Sequence, residues 1–86
     1  MRQIIIDCAG CKTPKQLHIM LKDALGFPEW SGCNLDALHD NLCAIRQETR
    51  MVLVHMGELP FPSGGFVRVL DDCSQENPRL KISIHP

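Results

Sequence analysis

The stretch Phe27-Pro28-Glu29-Trp30-Ser31-Gly32-Cys33-Asn34-Leu35-Asp36-Ala37-Leu38-His39-Asp40-Asn41-Leu42 carries the signals that organise the chain. Gly26 and Pro28 stop the segment before it, the glycine as a left-handed terminus and the proline because its ring blocks continuation. Asn34 then suits the cap of a new helix, since its side-chain oxygen can accept from a free N–H of the first turn. Inside that helix Leu35, Leu38, Leu42 and Ile45 recur at spacings of three, four and three, which defines one buried stripe. Asp36 and Asp40 fall one turn apart on a face almost opposite that stripe, with Cys43 below them. A loop holding the chain's one tryptophan thus leads into a helix with an apolar side and an acidic side.

Upstream, Thr13-Pro14-Lys15-Gln16 predicts a helix start. Thr13 caps, Pro14 takes the first helical position, and Gln16 completes a capping box. Leu17, Met20, Leu21, Ala24 and Leu25 follow at helical spacing. Before it, the β-branched run Ile4-Ile5-Ile6 ends at Asp7 and reads as a strand buried on both faces. Downstream, Met51 to Val54 is a second apolar strand. Gly57 to Gly65, with Pro60 and Pro62, reads as a loop. Phe66, Val69, Leu70 and Cys73 mark a third helix, ended near Asn77-Pro78. Leu80, Ile82 and Ile84 alternate with Lys81, Ser83 and His85, the pattern of a strand with one wet face. The order strand-helix-helix-strand-loop-helix-strand implies an α/β fold, a small three-stranded parallel sheet with helices packed against it and right-handed crossovers.

At 86 residues the chain holds one core, hence a single domain over 1–86. Its formal charge of −1 excludes a general nucleic-acid binder, which needs a basic excess. No apolar run reaches the ~18–20 residues of a membrane span and no signal-peptide pattern opens the chain, so a soluble, cytoplasmic protein is expected. Five cysteines, an odd number, argue for reduced thiols rather than a disulfide framework, with Cys43 and Cys73 acting as small apolar residues.

The small net charge hides a segregation. Asp23, Glu29, Asp36 and Asp40 lie in a stretch without a base between Lys22 and Arg46, and Asp71, Asp72 and Glu76 in another between Arg68 and Arg79. Seven of the ten carboxylates therefore occupy two base-free stretches, which would form one acidic face if the fold brings them together. Such a face speeds association with a basic partner and rejects others. A solvated helix surface has the same pattern, and charge alone does not separate the two.

The residues Trp30, Gly32, Asn34, Leu35, Asp36, Ala37, Leu38 and Asp40 resemble the signature of the barstar family of ribonuclease inhibitors: an aromatic, a glycine, then N-L-D-A-L, a variable residue and aspartate. The flanking helices and strands follow the family's order, so the resemblance covers nearly the whole chain. It implies an inhibitor, not an enzyme, that blocks the active site of a basic secreted or toxin-type ribonuclease in a one-to-one complex, with no direct nucleic-acid binding and no cofactor. Carried over by position, Asp40 is the carboxylate that occupies a substrate phosphate site, with Asp36 beside it. Trp30 is the aromatic that lies on the nuclease, Gly32, Asn34 and Leu35 form the loop that enters the cleft, and Asp72 and Glu76 are acidic contacts from the last helix. His39 stands where the family commonly has tryptophan, and Cys33 where an acidic residue is frequent. On that face His39 would add positive charge in acid and weaken docking to a basic cleft. The broken segment 57–65 is not expected to form the family's extra short helix.

Other readings compete. Cys8-Ala9-Gly10-Cys11 follows a strand and precedes a helix, as a thioredoxin-like redox motif would, but the helix start at Thr13-Pro14 leaves Cys8 residues short of it. A zinc site at Cys8 and Cys11 lacks a second paired motif, because His18, His39, His55 and His85 are scattered, and no metal is expected. Acid–base catalysis has no activating partner for Asp36 or Asp40. A barstar-like module that binds a non-nuclease protein is the main alternative.

Overall fold

The computed structural model describes residues 1–86, ordered as β1 (Arg2–Asp7), α1 (Pro14–Leu25), α2 (Leu35–Cys43), β2 (Thr49–Val54), α3 (Gly64–Glu76) and β3 (Leu80–Ile84). One turn of 3-10 helix spans Met56–Glu58. The three strands form one parallel sheet in the order β1-β2-β3. Ile4, Met51 and Ile82 stand level across it on one face, and Ile5, Val52 and Ser83 on the other.

Helix boundaries follow the side-chain chemistry read from the sequence. Thr13 caps α1 by accepting the Gln16 N–H at 3.2 Å, and Pro14 opens the helix. Gln16 reaches back as a capping box requires, yet its Oε1 accepts from Lys12 N–H at 2.7 Å, one residue before the cap. Gly26 closes α1 with φ 73°, a left-handed conformation that any Cβ would strain. Asn34 caps α2 through Oδ1, which accepts the Ala37 N–H at 2.8 Å.

Two expectations change. β1 is not buried on both faces: Ile6 is buried, whereas Ile5 is 65% exposed. The reason is topological. Two crossovers of one hand between strands in sequential order lay their helices on the same face, so the other face stays open. β2 obeys the same alternation, with Thr49, Met51 and Leu53 buried and Arg50 exposed. The segment 57–65 is also less irregular than its prolines suggest. The 3-10 turn forms ahead of Pro60 and Pro62, closed by Leu59 N–H to Met56 O at 3.3 Å, and α3 starts at Gly64 rather than Phe66.

The core lies between the sheet and the helices. Leu17, Leu21 and Leu25 from α1, Leu38 and Leu42 from α2, and Phe66, Leu70 and Cys73 from α3 cover Ile6, Met51, Leu53 and Leu80. Fully burying a leucine stabilises by about 1.5–3 kcal/mol, so the α2 stripe anchors that helix against the rest. α2 rests chiefly on α3. Asn77, buried just past α3, fixes this pairing: its Nδ2 donates at 3.0 Å each to Leu42 O, in the last turn of α2, and to Ile45 O, two residues past the helix end.

Candidate functional site

The loop from Pro28 to Asn34 is short and tied down at both ends. Ser31 N–H closes a turn on Pro28 O at 3.0 Å, and Asn41 of α2 donates from Nδ2 to Ser31 Oγ. Gly32 is required by close approach: a Cβ there would sit 2.7 Å from Asn34 Nδ2, and that amide is immobilised by its capping role. These constraints push Trp30 outward. The chain's one tryptophan is 86% exposed, the reverse of what a core aromatic shows. Trp30, Ser31, Gly32, Ala37, Asp40 and Asn41 line a shallow recess of about 160 Å³.

Asp40 is 88% exposed at the rim of that recess, and Asp36, one turn earlier on α2, is exposed as well. Across the α2–α3 seam Glu76 approaches His39, whose Nε2 is 3.6 Å from Glu76 Oε2 while its Nδ1 is 4.0 Å from Asp40 Oδ1. The two base-free acidic stretches therefore meet around His39. Asp72 is exposed one turn before Glu76 on α3. None of these four carboxylates lies within 4.0 Å of a lysine or arginine; the short charged contacts in the molecule all involve His39 or His55. Leu35, expected in the binding loop, is half-buried, and its Cδ1 would touch a Cβ built at Gly65, so it holds α2 to the start of α3.

Cys43 does not simply underlie the aspartates in solvent. It is half-buried and turned toward α3, with its Sγ 3.5 Å from Cys73 Sγ and 3.4 Å from Glu76 Oε2. Burial raises the Cys43 thiol pKa and pushes that of Cys73 up to about 12. Sequence reasoning treated these thiols as apolar filler and missed their approach. The spacings His39–Cys43 and Cys73–Glu76, each one turn of helix, were the available signal.

The Cys8–Cys11 pair has the opposite of a redox-active environment. Both are buried, Cys8 Sγ lies 3.5 Å from Met56 Sδ, and burial followed by the charges of Cys11 and Asp7 raises the Cys8 pKa. A reactive thiol needs a lowered pKa and access. At the same strand end, His55 holds a left-handed φ of 61° while its Nδ1 lies 2.9 Å from Asp7 Oδ1. Asp7 is lowered from its ordinary value mainly by the Ala9 N–H and then by His55, and His55 is raised mainly by the Asp7 hydrogen bond.

No helix is long and apolar enough to cross a membrane. Residues 1–81 match the family described as Barstar (barnase inhibitor). Over 42 residues, 49% of this chain, the sequence is 52% identical to a Bacillus subtilis (strain 168) protein named "Putative ribonuclease inhibitor YrdF". That match spans 46%, about half, of the relative's length.

Proposed function

This chain belongs to the barstar family, and on that premise we propose that it inhibits a ribonuclease by closing the enzyme's active site with the Trp30–Asp40 face. The observation that carries this reading is an exposed tryptophan beside an exposed aspartate that has no lysine or arginine partner, both around one recess. A ribonuclease cleft is lined by cations that hold RNA phosphates. Asp40, with no lysine or arginine of its own nearby, can take a phosphate's place and accept charge-assisted hydrogen bonds from such cations. At 4 Å and an effective dielectric of 20, each carboxylate–cation pair is worth about 4 kcal/mol before desolvation. Trp30 supplies apolar area beside it, and a large aromatic next to a desolvated charge is the usual composition of an interface hot spot.

Asp36, Asp72 and Glu76 extend the acidic surface and select a basic partner by charge. Gly32, Asn34 and Leu35 shape the loop: the first two set its backbone and the third anchors α2. His39 lies between Asp40 and Glu76 and contacts the partner directly. With a net charge of −1, long-range steering is weak and recognition depends on these local pairs.

The partner is a basic secreted or toxin-type ribonuclease, bound one to one within the producing cell. The test is affinity capture on the immobilised chain from the producing organism, followed by an assay of the captured fraction for ribonuclease activity. The expected result is a nuclease whose activity is titrated to zero at one inhibitor per enzyme, with affinity that falls as salt rises. Capture of a protein without nuclease activity would replace this reading with a different partner class.

A further inference from the structure

His39 and Cys43 lie one turn apart on α2, Cys73 and Glu76 one turn apart on α3, and the seam between the helices gathers the first three, with Glu76 against Cys43 and His39. The His39, Cys43 and Cys73 ligand atoms lie within 4.8 Å of one another. Glu76 Oε2 adds a fourth donor, 3.4 Å from Cys43 Sγ and 3.6 Å from His39 Nε2. We propose that these four side chains form a binding site for a thiophilic divalent cation, with zinc as the favoured ion, that staples α2 to α3.

Geometry supports the assignment. Zinc–ligand bonds of about 2.0–2.3 Å in a tetrahedron set donor–donor edges of roughly 3.3–3.8 Å. The observed edges are 3.5 Å for Cys43 Sγ to Cys73 Sγ, 3.9 Å for Cys43 Sγ to His39, 3.4 Å for Cys43 Sγ to Glu76 and 3.6 Å for His39 Nε2 to Glu76. These four of the six edges lie within about 0.4 Å of ideal, and the edge from Cys73 to His39, within 4.8 Å, closes by rotation of the side chains. The donor set of two thiols, an imidazole and a carboxylate is one that zinc favours over magnesium or calcium. With Nε2 as ligand, Nδ1 remains turned toward Asp40 Oδ1 at 4.0 Å, the side on which a carboxylate orients a metal-bound imidazole. The buried Cys73 closes the inner side, while the more exposed His39 and Glu76 leave a route for the ion from solvent.

Without a cation the cluster is held by weak bonds only. The one Cys43 proton faces a sulfur, a carboxylate oxygen and an imidazole, and can serve just one of them. Coordination replaces each S–H bond with a sulfur–metal bond and releases two protons to solvent, so the dication's two charges are offset and the net charge of the face is unchanged. If the ribonuclease reading holds, a bound ion also withdraws His39 and Glu76 from the docking surface; the site itself does not depend on that reading.

The experiment is titration of the full chain, reduced with a phosphine and freed of metal by chelation, with Co²⁺ and then Zn²⁺. One Co²⁺ per chain is expected, with thiolate-to-cobalt charge-transfer absorption, the intense visible bands of a tetrahedral ion, and loss of both on adding Zn²⁺. Cys43→Ser and His39→Gln, each checked for folding by circular dichroism, should weaken Co²⁺ binding at least tenfold, and Cys33→Ser should leave it unchanged. Saturating Zn²⁺ should raise the melting temperature of the parent chain but not of Cys43→Ser. Absence of the charge-transfer band in excess Co²⁺ would overturn the proposal, as would a band that survives Cys43→Ser and disappears in Cys8→Ser. Neither outcome bears on ribonuclease inhibition.

Discussion

Replacing Asn77 by alanine should do more damage than its place at a helix end suggests. The side chain makes three hydrogen bonds: Nδ2 donates to Leu42 O and to Ile45 O at 3.0 Å each, and Oδ1 accepts from Arg79 N–H at 3.1 Å. Alanine removes all three: Leu42 O keeps only the 3.3 Å bond from Ile45 N–H, and Ile45 O, two residues past α2, loses the Asn77 donor. A typical hydrogen bond contributes a net ~1 kcal/mol, and an orphaned buried acceptor costs about 1–3 kcal/mol. Allowing water to reach the outer Ile45 carbonyl, the loss should be about 2–4 kcal/mol. A chain of this length has a total stability of roughly 4–13 kcal/mol, so the melting temperature should fall by ten degrees or more. The assay is urea unfolding followed by far-ultraviolet circular dichroism, because the exposed Trp30 is a poor reporter of the core. The urea dependence of the unfolding free energy should not change. Asn77→Asp should be at least as harmful, since it sets a carboxylate against two carbonyl oxygens. A loss below 1 kcal/mol for alanine, or tolerance of aspartate, would refute the role assigned to this side chain in holding α2 on α3.

Gly32→Ala should displace the Asn34 amide and cost about 1 kcal/mol, the value of an N-cap, with Asn34→Ala costing a similar amount and the double variant less than the sum, as urea titration would measure. The histidines should separate in an NMR titration: His18, buried against Phe66 with ring centroids 4.6 Å apart, should protonate below the ordinary value of 6.5 and His55 above it. For His18 the unfolded chain binds the proton more tightly, so its contribution to stability is lost as pH falls below 6.5; for His55 the contribution is present below 6.5 and lost as pH rises through the folded-state value. Ile5→Lys should change stability by no more than about 0.5 kcal/mol, whereas Ile6→Ala should cost several times as much, which urea unfolding would distinguish.

How far the sequence foretold this structure depends on the range of the interaction concerned. Thr13, Gly26 and Asn34 act on backbone groups within four residues, and each marks its helix boundary in the structure. The leucine stripe of α2 is also a local periodicity, whereas the alternation expected in β3 holds at Leu80 and Lys81 and lapses at Ile84, which is 37% exposed. The openness of β1 is not local. Ile4, Ile5 and Ile6 are chemically equivalent, and only strand order and the shared side of the crossovers expose the middle one.

The candidate site divides the same way. Trp30, Gly32, Asn34 and the two aspartates of α2 are close in sequence, so the loop–helix unit could be read before the fold was known. Glu76 joins Asp40 around His39 only because α2 lies on α3. The convergence of Cys43 with Cys73, and the capping of α2 by Asn77, depend on the same docking across 30 and 35 residues. A helix terminator and two small apolar residues were the readings available to a one-dimensional pattern.

The central claim is that Asp40 stands in for a substrate phosphate in the nuclease active site. It is tested most directly by the inhibition constant of Asp40→Ala against the captured ribonuclease, measured beside the parent chain after both are shown to unfold at the same urea concentration. Because Asp40 is 88% exposed and its one charged neighbour is His39 at 4.0 Å, the variant should fold normally. A hot-spot loss of 2 kcal/mol or more corresponds to an inhibition constant raised by about thirtyfold or greater. Equal inhibition by the two proteins would contradict the account.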